Sequence, residues 1–291
     1  REYTVGSAVS DMLFQACRSS SSYNYPHLSN RLTGRGLTTA STGTEVTLSH
    51  EFDRMDGVHE TGFENTRNQS SQTFIMHSWK RAPGYFDVVA YTGTGSARTV
   101  SHNLGVVPEM MWVKKRSSGD DWFVYVGSLG NTNKLELNST SASGSAAVGG
   151  NQLWNSTTPT SSVFSVSDNV RVNESGETYI AYLFATVAGV SKVGSYTGDG
   201  TTGRVIDCGF TSGAKFVLIK PTSQTGGWNV YDTVRGIVAG NDPVLILNST
   251  AAESTPGDDI DPDNSGFIVN QQALGNFLNG SGVDYIFYAI A

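Results

Sequence analysis

The sequence contains an internal repeat with a period of about 105 residues. Three phrases recur in the same order: "AYTGTG" (90–95) as "SYTGDG" (195–200), "WFVY" (122–125) as "WNVY" (228–231), and "SGETYIAYLF" (175–184) as "SGVDYIFYAI" (281–290). Solenoid turns and propeller blades repeat every 20 to 50 residues or so, whereas a small domain needs roughly this length. The repeat therefore predicts consecutive small domains arranged in a row.

The third copy of the repeat is fainter and lies at the N-terminus. Phe74 stands where Tyr179 and Tyr285 stand in the other copies, but the phrases that precede these tyrosines have no clear counterpart. The first copy is thus expected to be truncated to its back half, and a sequence that starts at Arg1 is expected to be a piece of a longer chain. The predicted domains are a degenerate first repeat, 1–80, and two complete repeats, 81–187 and 188–291.

The residue pattern within each repeat is that of β-strands. Short segments rich in Val, Tyr, Phe, Trp and Thr are separated by clusters of Gly, Ser, Asn and Asp. In "TYIAYLFA" (178–185) both alternating sets are apolar, which is typical of a central sandwich strand covered on both faces. Helix should be minor, with one helical turn in "QQALGNFLNG" (271–280). We predict an all-β protein of tandem β-sandwich-like domains of about 105 residues each.

Composition excludes several partners. The formal net charge is −7, and the only basic clusters are "VKKR" (113–116) and Lys80 with Arg81, so nucleic acid is not expected as a partner. The sequence contains no apolar run of about 18 residues, so membrane insertion is not expected. Cys17 and Cys208 lie in different copies, with Cys17 aligned near Asp232, so no disulfide between them is expected.

The sequence contains no recognised catalytic motif. A Walker loop, a G-x-S-x-G elbow, an H-E-x-x-H pair and a C-x-x-C pair are all lacking. The Gly-rich phrases "GTGSAR" and "GDGTTG" stand between strands, where tight hairpin turns explain them. We therefore predict that the chain is not an enzyme and has no obligatory cofactor.

An acidic segment, "GDDIDPDNSGF" (257–267), is a candidate cation site. Asp259, Asp261 and Asp263 alternate along it and offer three carboxylates to a hard cation such as Ca²⁺. The EF-hand pattern is not kept, because Asn264 replaces the expected glycine and no Glu follows at the twelfth position. A solvated loop is the interpretation that the sequence favours, and the cation site is the alternative.

A second candidate metal site lies in the degenerate first copy. His50, Asp53, Asp56 and His59 recur every three residues, so they would share one face of a helix and could bind a transition metal. In a β-rich protein a polar loop is the favoured interpretation, and the metal site is the alternative.

Tryptophans divide into repeated and unrepeated positions. Trp122 and Trp228 are equivalent in the repeat and are predicted to anchor the core. Trp154 has no counterpart and is followed by Asn155 in a Ser/Thr/Asn-rich loop, so these two residues are the candidate exposed ligand contact. The alternative for Trp154 is a loop that packs onto its own domain.

A family resemblance rests on the middle copy. "YTGTGSARTVSHNLGVVPEMMWVKKR" (91–116), followed by "WFVY", "LELNST", "VFSV" and "NESGETYIAYLFA", resembles the repeated β-rich domain of tail-fibre and adhesin-like proteins of marine bacteriophages, including cyanophages. The resemblance covers residues 86–291 well and the N-terminal third weakly. The last copy departs from it by placing Cys208 where the middle copy has His102.

The resemblance implies a component of the virion, assembled in the host cytoplasm and located in a tail fibre or host-recognition appendage. Its implied partners are other virion tail proteins and a polysaccharide or protein receptor on the host surface. Fibres often form symmetric homo-oligomers, trimers among them, although no heptad or collagen repeat fixes a number here.

Three functions are compatible with the sequence. A receptor-binding adhesin would carry exposed loops specific to one copy, and polar loops with isolated aromatic residues suit carbohydrate. A purely structural appendage or adaptor segment would turn those loops toward other virion chains. A polysaccharide depolymerase would need paired carboxylates about 5 to 10 Å apart in a groove. The adhesin is the leading hypothesis.

Overall fold

The computed structural model describes residues 2–4, 10–21, 26–46, 62–64, 72–270 and 278–291. These residues form 24 strands, a 3-10 turn (Gly127–Leu129) and a four-residue α-helix, α1 (Val170–Asn173). All strand pairs are antiparallel. The all-β prediction is confirmed, and the helical turn expected near residue 271 lies outside the described residues apart from its end.

We call the segment 1–80 the N-terminal module. Its strands are β1 (Glu2–Thr4), β2 (Met12–Cys17), β3 (His27–Asn30), β4 (Arg35–Thr38), β5 (Gly62–Glu64) and β6 (Phe74–Trp79). The main sheet has the order β4-β3-β2-β6, and β1 pairs with β5 in a separate small sheet.

The segment 81–187 is the middle module. Its strands are β7 (Phe86–Thr92), β8 (Arg98–Ser101), β9 (Met110–Lys115), β10 (Trp122–Val126), β11 (Asn133–Glu136), β12 (Gly144–Ser145), β13 (Ala147–Val148), β14 (Asn151–Gln152), β15 (Val163–Val166) and β16 (Thr178–Phe184). The main sheet has the order β12-β11-β10-β9-β16-β7, with small sheets β8-β15 and β13-β14.

The segment 188–291 is the C-terminal module. Its strands are β17 (Ser191–Thr197), β18 (Arg204–Asp207), β19 (Phe216–Pro221), β20 (Asn229–Asp232), β21 (Leu245–Ile246), β22 (Ile260–Asp263), β23 (Gly266–Val269) and β24 (Asp284–Ile290). The main sheet has the order β17-β24-β19-β20-β21, and the small sheet β18-β23-β22.

The N-terminal module is more complete than its sequence predicts. Its sheets hold counterparts of the strands that precede the back half. Within the described residues, a strand in the place of β7 and β17 is lacking, and so are counterparts of the short strands β12, β13 and β14 and of β22. Cys17 pairs with Phe74 as Lys115 pairs with Tyr179. In the repeat, Cys17 is therefore equivalent to Lys115, and its predicted alignment near Asp232 is wrong. The back-half assignment is therefore wrong, because the front half keeps its strand pattern after losing the phrases that mark it.

One hydrophobic core is shared by all three modules. In β16 the side chains of Ile180, Tyr182 and Phe184 enter this shared core, while Tyr179 and Leu183 face a core private to the middle module. A second private core lies within the C-terminal module. Each main sheet thus covers the inner faces of the others, which differs from a row of domains with separate cores.

The three main sheets close a ring with three seams. The first seam joins the middle and N-terminal modules, the second joins the C-terminal and middle modules, and the third joins the N-terminal and C-terminal modules. The same backbone hydrogen bond recurs at each seam: Glu45 N–H to Arg116 O (2.9 Å), Ser143 N–H to Thr222 O (2.7 Å), and Glu253 N–H to Arg18 O (2.9 Å). Each sheet therefore contacts both others through equivalent strand ends.

Tryptophan side chains reinforce the first two seams. The Trp122 indole N–H donates to the Thr38 carbonyl (3.1 Å), and that of Trp228 donates to the Glu136 carbonyl (3.0 Å). Both indoles are 0% exposed, which confirms the prediction that they anchor the core. At the third seam the Thr39 hydroxyl donates to the Leu247 carbonyl (2.6 Å).

A buried lysine also recurs at the first two seams. The ammonium group of Lys114 donates to the Thr42 carbonyl (3.3 Å), and that of Lys220 donates to the carbonyls of Thr140 (3.4 Å) and Ser141 (2.9 Å). Burial lowers the pKa of each lysine to about 8. Both lysines hold the loop of the preceding module through neutral acceptors.

Candidate functional site

Trp154, one of the two predicted contact residues, is buried. Its side chain is 1% exposed, packs edge-on against Tyr125 with ring centroids 5.9 Å apart, and donates its indole N–H to the Asn133 carbonyl (3.1 Å). The loop therefore packs onto its own module, and the expectation of an exposed aromatic contact at Trp154 is wrong. A polar loop sequence does not reveal that its one large apolar side chain fills the core beneath.

Asn155 is exposed at the start of a polar loop that spans residues 155–162. Asn155 and Ser156 both have positive φ (51° and 48°), and the Thr157 N–H donates to the Trp154 carbonyl (3.0 Å). This is a tight turn of the kind that Asn tolerates. Apart from the buried Pro159, every residue of the loop is exposed. The turn and the buried indole fix where the loop begins.

Hydrogen bonds fix further groups of the polar loop. The Thr158 hydroxyl accepts from the Asn131 amide (3.0 Å), and the Thr160 hydroxyl accepts from the backbone N–H groups of Ser162 (3.3 Å) and Val163 (3.1 Å). The loop thus presents hydroxyl and amide groups in positions set by the fold.

The acidic segment forms a hairpin of β22 and β23 instead of a solvated loop. Asp259 is 1% exposed and accepts from the Tyr231 hydroxyl (2.8 Å), while Asp261 accepts from the Asn270 amide (2.8 Å). Each carboxylate is engaged with a different partner: Asp259 lies just before β22, Asp261 lies within it, and Asp263 ends it at the hairpin turn.

Asp263 is engaged at the hairpin turn. Its carboxylate accepts from the hydroxyl (2.6 Å) and the backbone N–H (2.8 Å) of Ser265, and these hydrogen bonds lower its pKa. Within the described residues no three His, Cys, Asp or Glu side chains lie close enough to hold a metal ion, so Asp259, Asp261 and Asp263 are not brought together. Ca²⁺ binding stays an untested prediction.

The other predicted metal group, His50, Asp53, Asp56 and His59, lies outside the described residues.

The linkers between modules are two short turns of the same design. In the first, Ala82 and Phe86 exchange backbone hydrogen bonds (3.1 and 3.2 Å), and in the second Val187 and Ser191 do so (3.1 and 2.9 Å). Gly84 (φ 77°) and Gly189 (φ 71°) supply the left-handed residue that each turn requires. The chain reverses at both linkers, which folds each module back onto its predecessor.

A carboxylate clamps each linker. Asp11 accepts from the Arg81 backbone N–H (2.7 Å), and Glu109 accepts from the Thr186 backbone N–H (2.6 Å). Asp11 immediately precedes β2, and Glu109 immediately precedes β9. The backbone N–H of each acid donates to the carbonyl of the last residue of the strand before its linker, Trp79 or Phe184. The two acids therefore hold equivalent positions.

A groove opens beside the first linker and has a volume of about 330 Å³. We call it the junction groove. Its polar lining comes from both modules: Asp11, Arg31, Lys80, Arg81, Asp87 and Asn103.

Asp11 organises the cations of the junction groove. Its carboxylate, 4% exposed, accepts from Nε (3.0 Å) and Nη2 (2.6 Å) of Arg31 and from Nε of Arg81 (3.2 Å). Burial raises the pKa of Asp11, but the Arg81 backbone N–H and the Arg31 guanidinium outweigh that effect, so the pKa is lowered overall. The carboxylate stays ionised and holds both guanidinium groups at the groove.

Asp87, the second buried carboxylate of the groove, is satisfied by backbone donors. It accepts from the N–H groups of Val88 (2.9 Å) and Asn103 (2.7 Å). Counting Arg31, Lys80 and Arg81 against Asp11 and Asp87, the groove has a formal charge of 3 − 2 = +1 in a chain of net charge −7.

The sequence identified only part of this groove. Lys80 and Arg81 stand out as a basic pair, but Asp11 lies 70 residues before Arg81 and belongs to a segment whose place in the repeat was missed. The signal that could have found it is the position of Asp11 and Glu109 before equivalent strands.

Comparison with protein families gives one match. The chain belongs to the family described as a domain of unknown function (DUF7483), whose sequence model matches residues 3–291. No curated protein and no solved structure matches the chain. In the described residues no helix is long and apolar enough to cross a membrane.

Proposed function

We propose that this member of the DUF7483 family is a non-catalytic attachment module of a bacteriophage virion appendage, a tail-fibre or adhesin segment that binds a polysaccharide or protein receptor on the host cell surface. The observation that carries the proposal is the polar loop 155–162, which is exposed yet fixed at its start by the buried Trp154 and the Asn155–Ser156 turn. Its other partners would be virion tail proteins.

A fixed polar loop suits a saccharide ligand. Sugars offer many hydroxyl groups and little apolar surface, so affinity depends on hydrogen-bonding groups that are already in place when the ligand arrives. The hydrogen bonds at Thr158 and Thr160 restrain the loop before binding. Less conformational entropy is therefore lost on binding.

The shared core supports the same role. Because all three sheets cover one another, the loop is mounted on a single body and not on a domain that swings on a linker. A module of this kind can carry force between a virion and a cell while its binding surface keeps its shape.

The test is binding of the intact chain to host cells and to purified host polysaccharide, together with competition against phage adsorption. Asn155→Gly keeps the left-handed turn, since glycine adopts positive φ readily, but removes the exposed amide. We expect binding to weaken about fivefold, the effect of one hydrogen bond. Ser212→Ala, in an exposed loop of the C-terminal module, is the matched control.

A folded chain that neither binds cells nor blocks adsorption would overturn the proposal. That outcome would instead assign the chain to the structural framework of the appendage, with receptor contact on another protein.

A further inference from the structure

We propose that the junction groove binds the carboxylate of an acidic saccharide, such as a uronic acid residue. The inference rests on the proposed attachment function and names the class of sugar that it recognises. The groove lies at the first seam and is lined by Asp11, Arg31, Lys80, Arg81, Asp87 and Asn103.

Toward the residues that the structure describes, the two guanidinium groups keep most of their hydrogen-bonding capacity. Of the five N–H donors of each arginine, Arg31 uses two on Asp11 and Arg81 uses one within this part of the chain. The Arg31 and Arg81 side chains are 40% and 34% exposed, so their other N–H groups are accessible from the groove. A guanidinium fork matches the two oxygens of a carboxylate.

The second seam shows that these cations are not needed to build the joint. Its linker has the same backbone hydrogen bonds and the same carboxylate clamp. The residues in the places of Arg31, Lys80 and Arg81 are uncharged there: Gly127, Ala185 and Thr186. The three cations are therefore an addition to the joint, and they converge where two modules leave a groove open.

Charge and size favour a monoanionic sugar. The formal charge of +1 is balanced by one carboxylate, whereas a phosphate dianion would leave a surplus negative charge beside Asp11 and Asp87. The groove volume of about 330 Å³ accommodates one sugar ring. Asn103, exposed at the rim, offers an amide to the hydroxyl groups of that ring.

The test titrates the intact chain with glucuronate, with glucose and with inorganic phosphate, followed by NMR or calorimetry. We expect glucuronate to bind, glucose to bind much more weakly, and phosphate to compete poorly. Lys80→Ala, which gives the first linker the residue of the second, should weaken glucuronate binding about fivefold. Lys215→Ala removes a charge that is also exposed but lies outside the groove, and it should leave binding unchanged.

The inference fails if glucuronate does not bind, if Lys80→Ala and Lys215→Ala have the same effect, or if inorganic phosphate binds as tightly as glucuronate. Retention on host cells separates this failure from that of the proposed function. A chain that binds cells equally well with Lys80→Ala keeps its function and loses this groove as its site, whereas a folded chain that never binds cells loses the function itself.

Discussion

The first and second seams have the same backbone and different side chains. At both, a glycine-centred linker turns the chain, a carboxylate accepts from the linker backbone, a tryptophan donates to the preceding module, and a buried lysine holds a loop. Of these two seams, only the first adds Arg31, Lys80 and Arg81 and the ion pair between Arg116 and Glu45 (2.7 Å), a pair that recurs at the third seam between Arg18 and Glu253 (2.9 Å). The difference teaches that turn geometry and backbone pairing are common to both joints, and that the second joint is built without these charges.

Removal of the two clamping carboxylates, Asp11 and Glu109, should produce the largest difference in stability loss between the seams. Asp11→Ala leaves two guanidinium groups and a backbone N–H without their acceptor, so we expect a loss of about 3 kcal/mol in the free energy of unfolding. Glu109→Ala removes the acceptor of one N–H and should cost about 1 kcal/mol. Urea denaturation of both variants measures the difference. Equal losses would show that the cations add nothing to the first seam.

The buried lysines should give both seams the same response to alkali. Burial lowers the pKa of Lys114 and Lys220 to about 8, whereas the unfolded chain binds these protons up to the ordinary lysine pKa of 10.5. Between these pH values the unfolded state binds more protons, so stability rises with pH by up to about 1.4 kcal/mol per unit for each lysine. Below pH 8 this gain is absent.

Unfolding free energies of the wild type, Lys114→Met and Lys220→Met between pH 7 and 9.5 check this expectation. In each variant, the rise of the unfolding free energy with pH should be smaller than in the wild type, and by the same amount. A slope that only one variant reduces would show that the two seams bury their lysines differently.

The ion pair of the first seam should contribute less than its clamp. Glu45→Ser gives the first seam the residue that Ser143 provides at the second. It removes the carboxylate that accepts from the Arg116 guanidinium and from the Thr33 hydroxyl. The Glu45 side chain is 4% exposed, so we expect a loss of about 1.5 kcal/mol, more than for a surface pair. Ser143→Ala is the control and should change stability by less than about 0.5 kcal/mol. Thermal unfolding at low and high salt distinguishes the pair from a packing effect.

Substitution of the two linker glycines should cause the most similar losses of stability at the two seams. Gly84→Ala and Gly189→Ala each place a side chain at positive φ, at a cost of about 1 kcal/mol. An added Cβ meets nothing closer than 3.9 Å at Gly84 and nothing within 4 Å at Gly189, so the cost is conformational at both. Differences above about 0.5 kcal/mol in denaturation experiments would contradict the equivalence of the turns.

The sequence predicted what its repeated phrases encode. Trp122 and Trp228 are core anchors, and Phe74 occupies the register of Tyr179 and Tyr285, because those phrases survive in the copies concerned. The front half of the N-terminal module was missed because strand pattern alone does not distinguish one β-strand from another.

The arrangement of the modules could not be predicted from the alternation of apolar side chains along the strands. Apolar residues on both sides of β16 indicate that both faces are covered, but they do not say by what. One face meets the small sheet of its own module, and the other meets the neighbouring modules. The junction groove was hidden for the same reason, since Asp11 and Arg81 come together only when the seam closes.

Closure of the ring fixes the number of copies. A linear array can lengthen or shorten by one unit at small cost, because each unit contacts only its neighbours. Here Glu253 at one end of the repeat series bonds with Arg18 at the other, and the inner face of every main sheet is apolar. Duplication or deletion of a module would uncover such a face. Closure therefore restricts a change in the number of modules, whereas it leaves the side chains at the seams free to differ, as they do at the two linkers.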